Sequence, residues 1–125
     1  MSAAFRAAVE AGDFDAATDL LHDDVVFRSP AVFKAYQGKA TVTTILKTVG
    51  TVFEDFRYID DLVSETGTHV LVFEARVGEK TLQGMDYLKT DAEGRITELT
   101  VMIRPLSGLI AVAEQMGPKL AAAGV

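Results

Sequence analysis

At 125 residues, with 49% apolar and 24% charged side chains, the chain is one domain's worth of globular protein, taken as a single domain over 1–125 that can bury a core without staples. It has no cysteine, which excludes disulfides, thiolate nucleophiles and sulfur-ligated metals. Its net charge of −6, with twelve basic residues scattered among eighteen acidic ones, argues against nucleic acid as a partner. No run approaches the ~18 unbroken apolar residues of a membrane span, and the amphipathic start with Glu10, Asp13 and Asp15 is unlike a signal peptide, so no membrane contact and a cytoplasmic location are expected.

Phe5, Ala8 and Val9 recur at helical spacing in Ser2–Ala11, with Ser2 as a cap and Gly12 as a stop. Asp13 caps a second short helix, Phe14–Leu21, whose stripe is Phe14, Ala17, Leu20 and Leu21. Asp23-Asp24 breaks this hairpin, and Val25–Arg28 is a short strand ended by Ser29-Pro30. Ala31–Gln37 reads as a loop carrying Phe33 and Tyr36. Gly38 opens a third helix, Lys39–Phe53, with Val42, Ile45, Leu46, Val49 and Phe53 on one face; its threonines and Gly50 are poor helix formers.

Phe56–Ser64, His69–Val77, Thr81–Thr90 and Arg95–Arg104 then alternate as strands between glycine-bearing turns, the pattern of an antiparallel meander. Pro105 stops the last strand. A final amphipathic helix, Leu106–Ala123, shows Leu109, Val112, Ala113, Met116 and Leu120 on one face, interrupted at Gly117-Pro118, and its Ala-rich tail is expected to fray. Helices first and strands afterwards make an α+β fold, and a curved antiparallel sheet wrapped on the N-terminal helices leaves a concave face suited to an apolar pocket.

Two segments resemble the nuclear transport factor 2-like superfamily, in its SnoaL-like and ketosteroid isomerase-like branch. They are Val9–Ala17 continuing through Leu20–Phe27, and Gly84–Ile96; with Gly38 before the third helix the resemblance covers nearly the whole chain. It implies a cone-shaped, cystatin-like α+β roll. Function varies widely in the superfamily and does not follow from fold. Steroid isomerases of this kind use an aspartate just before the proline that ends the first strand, a tyrosine on the first helix, and a carboxylic acid on the penultimate strand. The matching positions here are Ser29, Phe5 and Asp86, so two of the three groups are missing and that isomerisation is not expected. Limonene-epoxide hydrolases place an aspartate on the last strand, where this chain has Leu99, Val101 and Ile103 on one face and Thr100, Met102 and Arg104 on the other. SnoaL-like cyclases work by acid–base chemistry without a metal and remain compatible.

Asp86 is the candidate catalytic residue. Period-two alternation puts it on one face with Leu88, opposite Leu99, Val101 and Ile103, where an apolar setting raises a carboxyl pKa. The plainer reading is a buried aspartate bonded to a tyrosine or backbone group. Phe5, Ser29, Phe33, Tyr36, Leu88, Leu99, Val101 and Ile103 are the candidate ligand contacts, with Phe33 and Tyr36 bordering the pocket mouth, Tyr36 as a hydrogen-bond candidate, and Phe53, Phe56, Tyr58 and Phe73 as core. Two histidines are too few for a multi-histidine metal site; His22 suits the end of the second helix and His69 an exposed strand start. Arg28 is placed beside the pocket, able to bind a carboxylate or to pair with Asp24. Glu54-Asp55 and Asp60-Asp61 lie on strands, where neighbours point apart, so neither pair is expected to converge on one ion. The expected function is that of a pocket protein for a small hydrophobic molecule, either a cofactor-free isomerase, cyclase or hydrolase using Asp86, or a non-catalytic binding or dimerisation domain. No cofactor or metal is expected. The outer sheet face, with Tyr87, Thr100 and Met102, is expected to form a homodimer.

Overall fold

Helix α1 spans Ser2–Glu10 in the computed structural model, which describes residues 2–125; the cap expected from the Ser2 side chain lies outside the described residues. Phe5 and Ala8 turn inward, and Gly12, at φ 72°, makes the left-handed exit. Helix α2 (Phe14–Asp19) starts on Asp13, whose Oδ1 accepts the Ala16 N–H at 3.0 Å. It is two residues shorter than its apolar stripe suggests. Leu21 instead opens strand β1 (Leu21–Arg28), where it pairs with Ile96 and is completely buried, so sheet pairing overrides helical spacing. The strand bulges between Leu21 and Val26, and there His22 Nδ1 accepts the Asp24 N–H at 3.0 Å; His22 is a bulge residue and not a helix end.

The stretch read as a loop holds a two-residue strand, β2 (Tyr36–Gln37), antiparallel to β1. Helix α3 (Lys39–Val52) follows Gly38 and buries Val42, Ile45, Leu46 and Val52. Gly50 is more than a weak helix former: a Cβ there would come within 2.6 Å of the Phe14 ring, so its small size lets α2 close on α3.

Strands β3 (Glu54–Val63), β4 (His69–Val77), β5 (Lys80–Thr90) and β6 (Ile96–Arg104) form the antiparallel meander. In the β5–β6 turn Asp91 Oδ1 accepts the N–H groups of Glu93 and Arg95, at 3.0 and 2.9 Å. The sheet order is β2-β1-β6-β5-β4-β3, six strands in a curved, unclosed sheet. It is not antiparallel throughout. β1 and β6 are parallel neighbours, because α3 carries the chain across to the far edge and the meander then returns to β1.

Two irregularities shape β3. Asp55 sits at φ 53°, a conformation aspartate tolerates, and the register shifts between Glu54 and Arg57. Strict alternation fails there, and both carboxylates of the Glu54-Asp55 pair grip one cation, Arg76, at 3.1 and 2.6 Å. The expectation that they point apart is corrected on that ground. A second shift, between Tyr58 and Asp60, leaves Ile59 outside.

Helix α4 (Leu106–Ala122) runs unbroken through Gly117-Pro118, both exposed, and the helix bond that proline forfeits lies on the solvent side. Its Ala-rich tail, expected to fray, is closed by hydrogen bonds. Gly124, at φ 78°, donates to Ala121 O at 3.1 Å and Val125 to Leu120 O at 2.9 Å, a Schellman closure that folds Val125 back onto the core.

Candidate functional site

The concave face of the sheet, α1, α3 and α4 enclose a cavity of about 620 Å³. Helices α3 and α4 contribute apolar groups only, among them Ile45, Val49, Val112 and Met116. The sheet supplies most of the polar ones. Asp86 projects inward from β5 between Gly84 and Leu88 and is 8% exposed. Tyr58 on β3 donates its hydroxyl to Asp86 Oδ2 at 3.1 Å.

Registry explains how groups two strands apart can meet. Tyr58 is level with Phe73 on β4, and Phe73 with Gly84 on β5. Gly84 has no side chain, so the Phe73 ring settles against it and Tyr58 reaches diagonally over the row to Asp86. Phe56 meets Tyr58 edge-on with ring centroids 5.0 Å apart, and the Arg6 guanidinium lies 5.9 Å from the Tyr58 ring centre. Arg6 is itself held by Glu10 at 3.4 Å and Asp61 at 3.3 Å.

Burial pushes the Asp86 carboxyl from 3.8 up to about 7, against the smaller opposing pull of the Tyr58 hydrogen bond. Burial, then the Asp86 charge, hold the Tyr58 phenol above its ordinary value, so it stays a neutral donor. Among the described residues no buried side-chain oxygen lacks a partner, and Tyr58 occupies only Oδ2; Oδ1 therefore opens to the cavity. Near neutral pH such a carboxyl populates both states, a base when ionised and an acid when protonated. Glu10 also lines the cavity, at its α1 end, and the lining contains no Lys, Arg or His, so an anionic ligand meets no counter-charge.

Phe5, Ser29, Tyr36, Leu99, Val101 and Ile103 all line this cavity with Asp86. Phe33 does not: its side chain is turned entirely outward at 104% exposure, and Val32 beside it faces the cavity instead. Leu88 shares the inward face but lies past Asp86, where the core is packed solid, and it is 0% exposed behind the wall. His69, expected at the surface, is buried at the start of β4 with Val63 and Leu88 as cross-strand neighbours. Arg28 pairs with Glu98 at 2.8 Å and not with Asp24, since β1 lies beside β6. Tyr58 is the site residue the sequence reading left among the core aromatics. Its signal was period-two spacing with Phe56 on a strand whose partner leads to Asp86.

Among the described residues no cluster of three or more His, Cys, Asp or Glu is disposed to hold a metal ion, and no helix is long and apolar enough to cross a membrane.

A curved sheet closed by helices over an apolar cavity with one buried acid defines a small-molecule pocket fold. The chain belongs to the SnoaL-like domain family, which it matches over residues 2–99. It is similar to a steroid delta-isomerase from Pseudomonas aeruginosa, with TM-score 0.92 and 47% identity over 97% of this chain and 89% of that one. It is also similar to an uncharacterized bacterial protein with a cystatin-like fold from Silicibacter pomeroyi, with TM-score 0.90 and 30% identity over 98% of this chain and 86% of that one. A candidate polyketide cyclase from Xanthomonas campestris shares the fold, with TM-score 0.70 and 19% identity over 89% of this chain and 93% of that one. No curated protein matches the chain.

Proposed function

We propose that the chain is a cofactor-free acid–base enzyme of the isomerase or cyclase kind, acting on a small, neutral, hydrophobic carbonyl compound with Asp86 as the proton-transfer group. The observation that carries this is the Asp86 carboxyl, open through Oδ1 to an apolar cavity and steadied through Oδ2 by Tyr58. As carboxylate it takes a proton from the carbon beside a carbonyl: the C–H bond breaks, an O–H bond forms on Asp86, and the electron pair moves to the carbonyl oxygen. Trading that proton with solvent before one returns to the same carbon is exchange, and return to a conjugated carbon is isomerisation. The likeness to a steroid delta-isomerase supports a carbonyl substrate. Phe5 and Ser29 stand in the cavity at the positions where steroid isomerases carry a tyrosine and an aspartate, so any such step proceeds without those two groups.

The test is hydrogen–deuterium exchange at the activated carbon of 2-tetralone, a neutral apolar ketone, followed by NMR. Exchange should exceed the buffer rate, rise with pH through about 7 as Asp86 ionises, and fall about 100-fold or more in Asp86→Asn. The presence of Phe5 and Ser29 where steroid isomerases carry a tyrosine and an aspartate favours a second reading, non-catalytic binding. Exchange at the buffer rate, in protein that still binds an apolar fluorophore, would establish it.

We further propose a two-fold dimer through the outer sheet face, where Val72, Met85 and Met102 flank a shallow groove and Met102 is exposed. Light scattering should give twice 13.4 kDa; a monomer mass overturns this.

A further inference from the structure

Besides Glu10 at the α1 end, polar groups stand at two separate places in the cavity. One is the Asp86–Tyr58 pair on β5 and β3. The other is Tyr36 on β2, at the opposite side of the sheet, with Ser29 at the end of the neighbouring β1. Between them lies β6, which presents Leu99, Val101 and Ile103.

Tyr36 lines the cavity and packs its ring 6.4 Å from Phe27, yet none of the hydrogen bonds among the described residues uses its hydroxyl. No buried side-chain oxygen is left unpaired, so that hydroxyl is accessible. Ser29 Oγ accepts the Ala31 N–H at 3.0 Å, which leaves its own proton free to donate at the same end. From β2 to β5 is three strand spacings, ~14 Å on a flat sheet and less across a concave one, and the register sets Tyr36 level with Leu88, two residues or ~7 Å along β5 from Asp86, so the two poles are on the order of 10–16 Å apart.

We propose that the ligand is a rigid, neutral, apolar molecule with an oxygen function at each end, one met by Asp86 and Tyr58 and the other by the Tyr36 hydroxyl. Tyr36 is then a specificity-determining residue. The proposal rests on the reading of this cavity as a ligand site. A flexible chain would lose more entropy on being held at both ends, and an anionic end would find no Lys, Arg or His in the lining to pair with.

Two fluorescent probes of one shape separate the possibilities: 6-phenyl-2-naphthol, with one oxygen, and 6-(4-hydroxyphenyl)-2-naphthol, with one at each end. The two-oxygen probe should bind about fivefold to tenfold more tightly, the worth of one added hydrogen bond. Tyr36→Phe should erase that difference between the probes, with an unaltered melting temperature as the check on folding. Asp86→Asn should change the affinity of both probes. Equal affinity of the two probes for the native protein, or a difference that survives Tyr36→Phe, overturns the two-ended ligand while the acid–base reading stands. Binding of neither probe overturns both.

Discussion

Replacing Asp86 with asparagine should raise the melting temperature by on the order of 10 °C at pH 8 and leave it nearly unchanged at pH 4. The folded-state carboxyl titrates at about 7 against an ordinary 3.8, so between those values the folded protein holds a proton the unfolded chain has released. Stability therefore falls as pH rises through that window. Below about pH 4 both states are protonated and nothing is lost. Above about pH 7 the folded protein carries a buried carboxylate at its full cost, on the order of 4 kcal/mol. Asparagine has nearly the same shape, its amide oxygen still accepts the Tyr58 hydroxyl, and it does not titrate. The difference between variant and parent, followed by calorimetry from pH 4 to pH 8, isolates this one group from every other carboxylate. A difference that stays flat across the range would show that Asp86 is not held up by burial.

Gly84→Ala should cost about 3 kcal/mol, read as a lower urea midpoint, although it adds a single methyl group. A Cβ at Gly84 would meet the Phe73 ring on one side and the Met102 carbonyl oxygen at 2.7 Å on the other. The carbonyl belongs to the β5–β6 ladder and has no room to retreat. The ring is locked as well, tilted against Phe56 with centroids 4.9 Å apart and against Phe53 at 5.6 Å. Combining Gly84→Ala with Phe73→Leu should recover part of the loss, because the smaller side chain vacates the ring's place; strict additivity of the two changes would mean the clash lies with Met102 alone. The same substitution should disturb the site, since the row Tyr58–Phe73–Gly84 is what lets the tyrosine reach Asp86.

Where local chemistry decides structure, it could be read in the residues. β4 spans His69–Val77 as the alternation and its flanking glycine turns indicate, and α3 departs from its expected span only at the last residue. Asp86 stood out because a carboxylate among Leu, Val and Ile is costly unless it has a purpose or a partner. What escaped was decided between distant segments. The parallel pairing of β1 with β6 joins residues more than seventy positions apart, and nothing in either strand's own pattern specifies it. The same distance hid the burial of Leu21 and the pairing of Arg28 with Glu98. Tyr58 sat in an aromatic run that reads as core, and its hydroxyl finds its partner two strands away. Phe33 was misplaced for the opposite reason: it was judged by its apolar character, while the backbone of its turn faces it to solvent. Helix α4 survives Pro118 because the forfeited bond is on the outside, a fact of orientation that composition does not carry.

The helices α3 and α4 line the cavity with hydrocarbon alone, while the acid, its tyrosine and the opposing hydroxyl are borne by strands. Those two helices thus shape the space without bearing any of its polar groups. Exchanging Ile45, Val49, Val112 or Met116 for larger or smaller apolar residues reshapes the space offered to a ligand without touching a proton-bearing group. A lineage built on this plan is free to reshape its cavity one helix residue at a time and to keep the buried acid, or to keep the cavity and lose the acid.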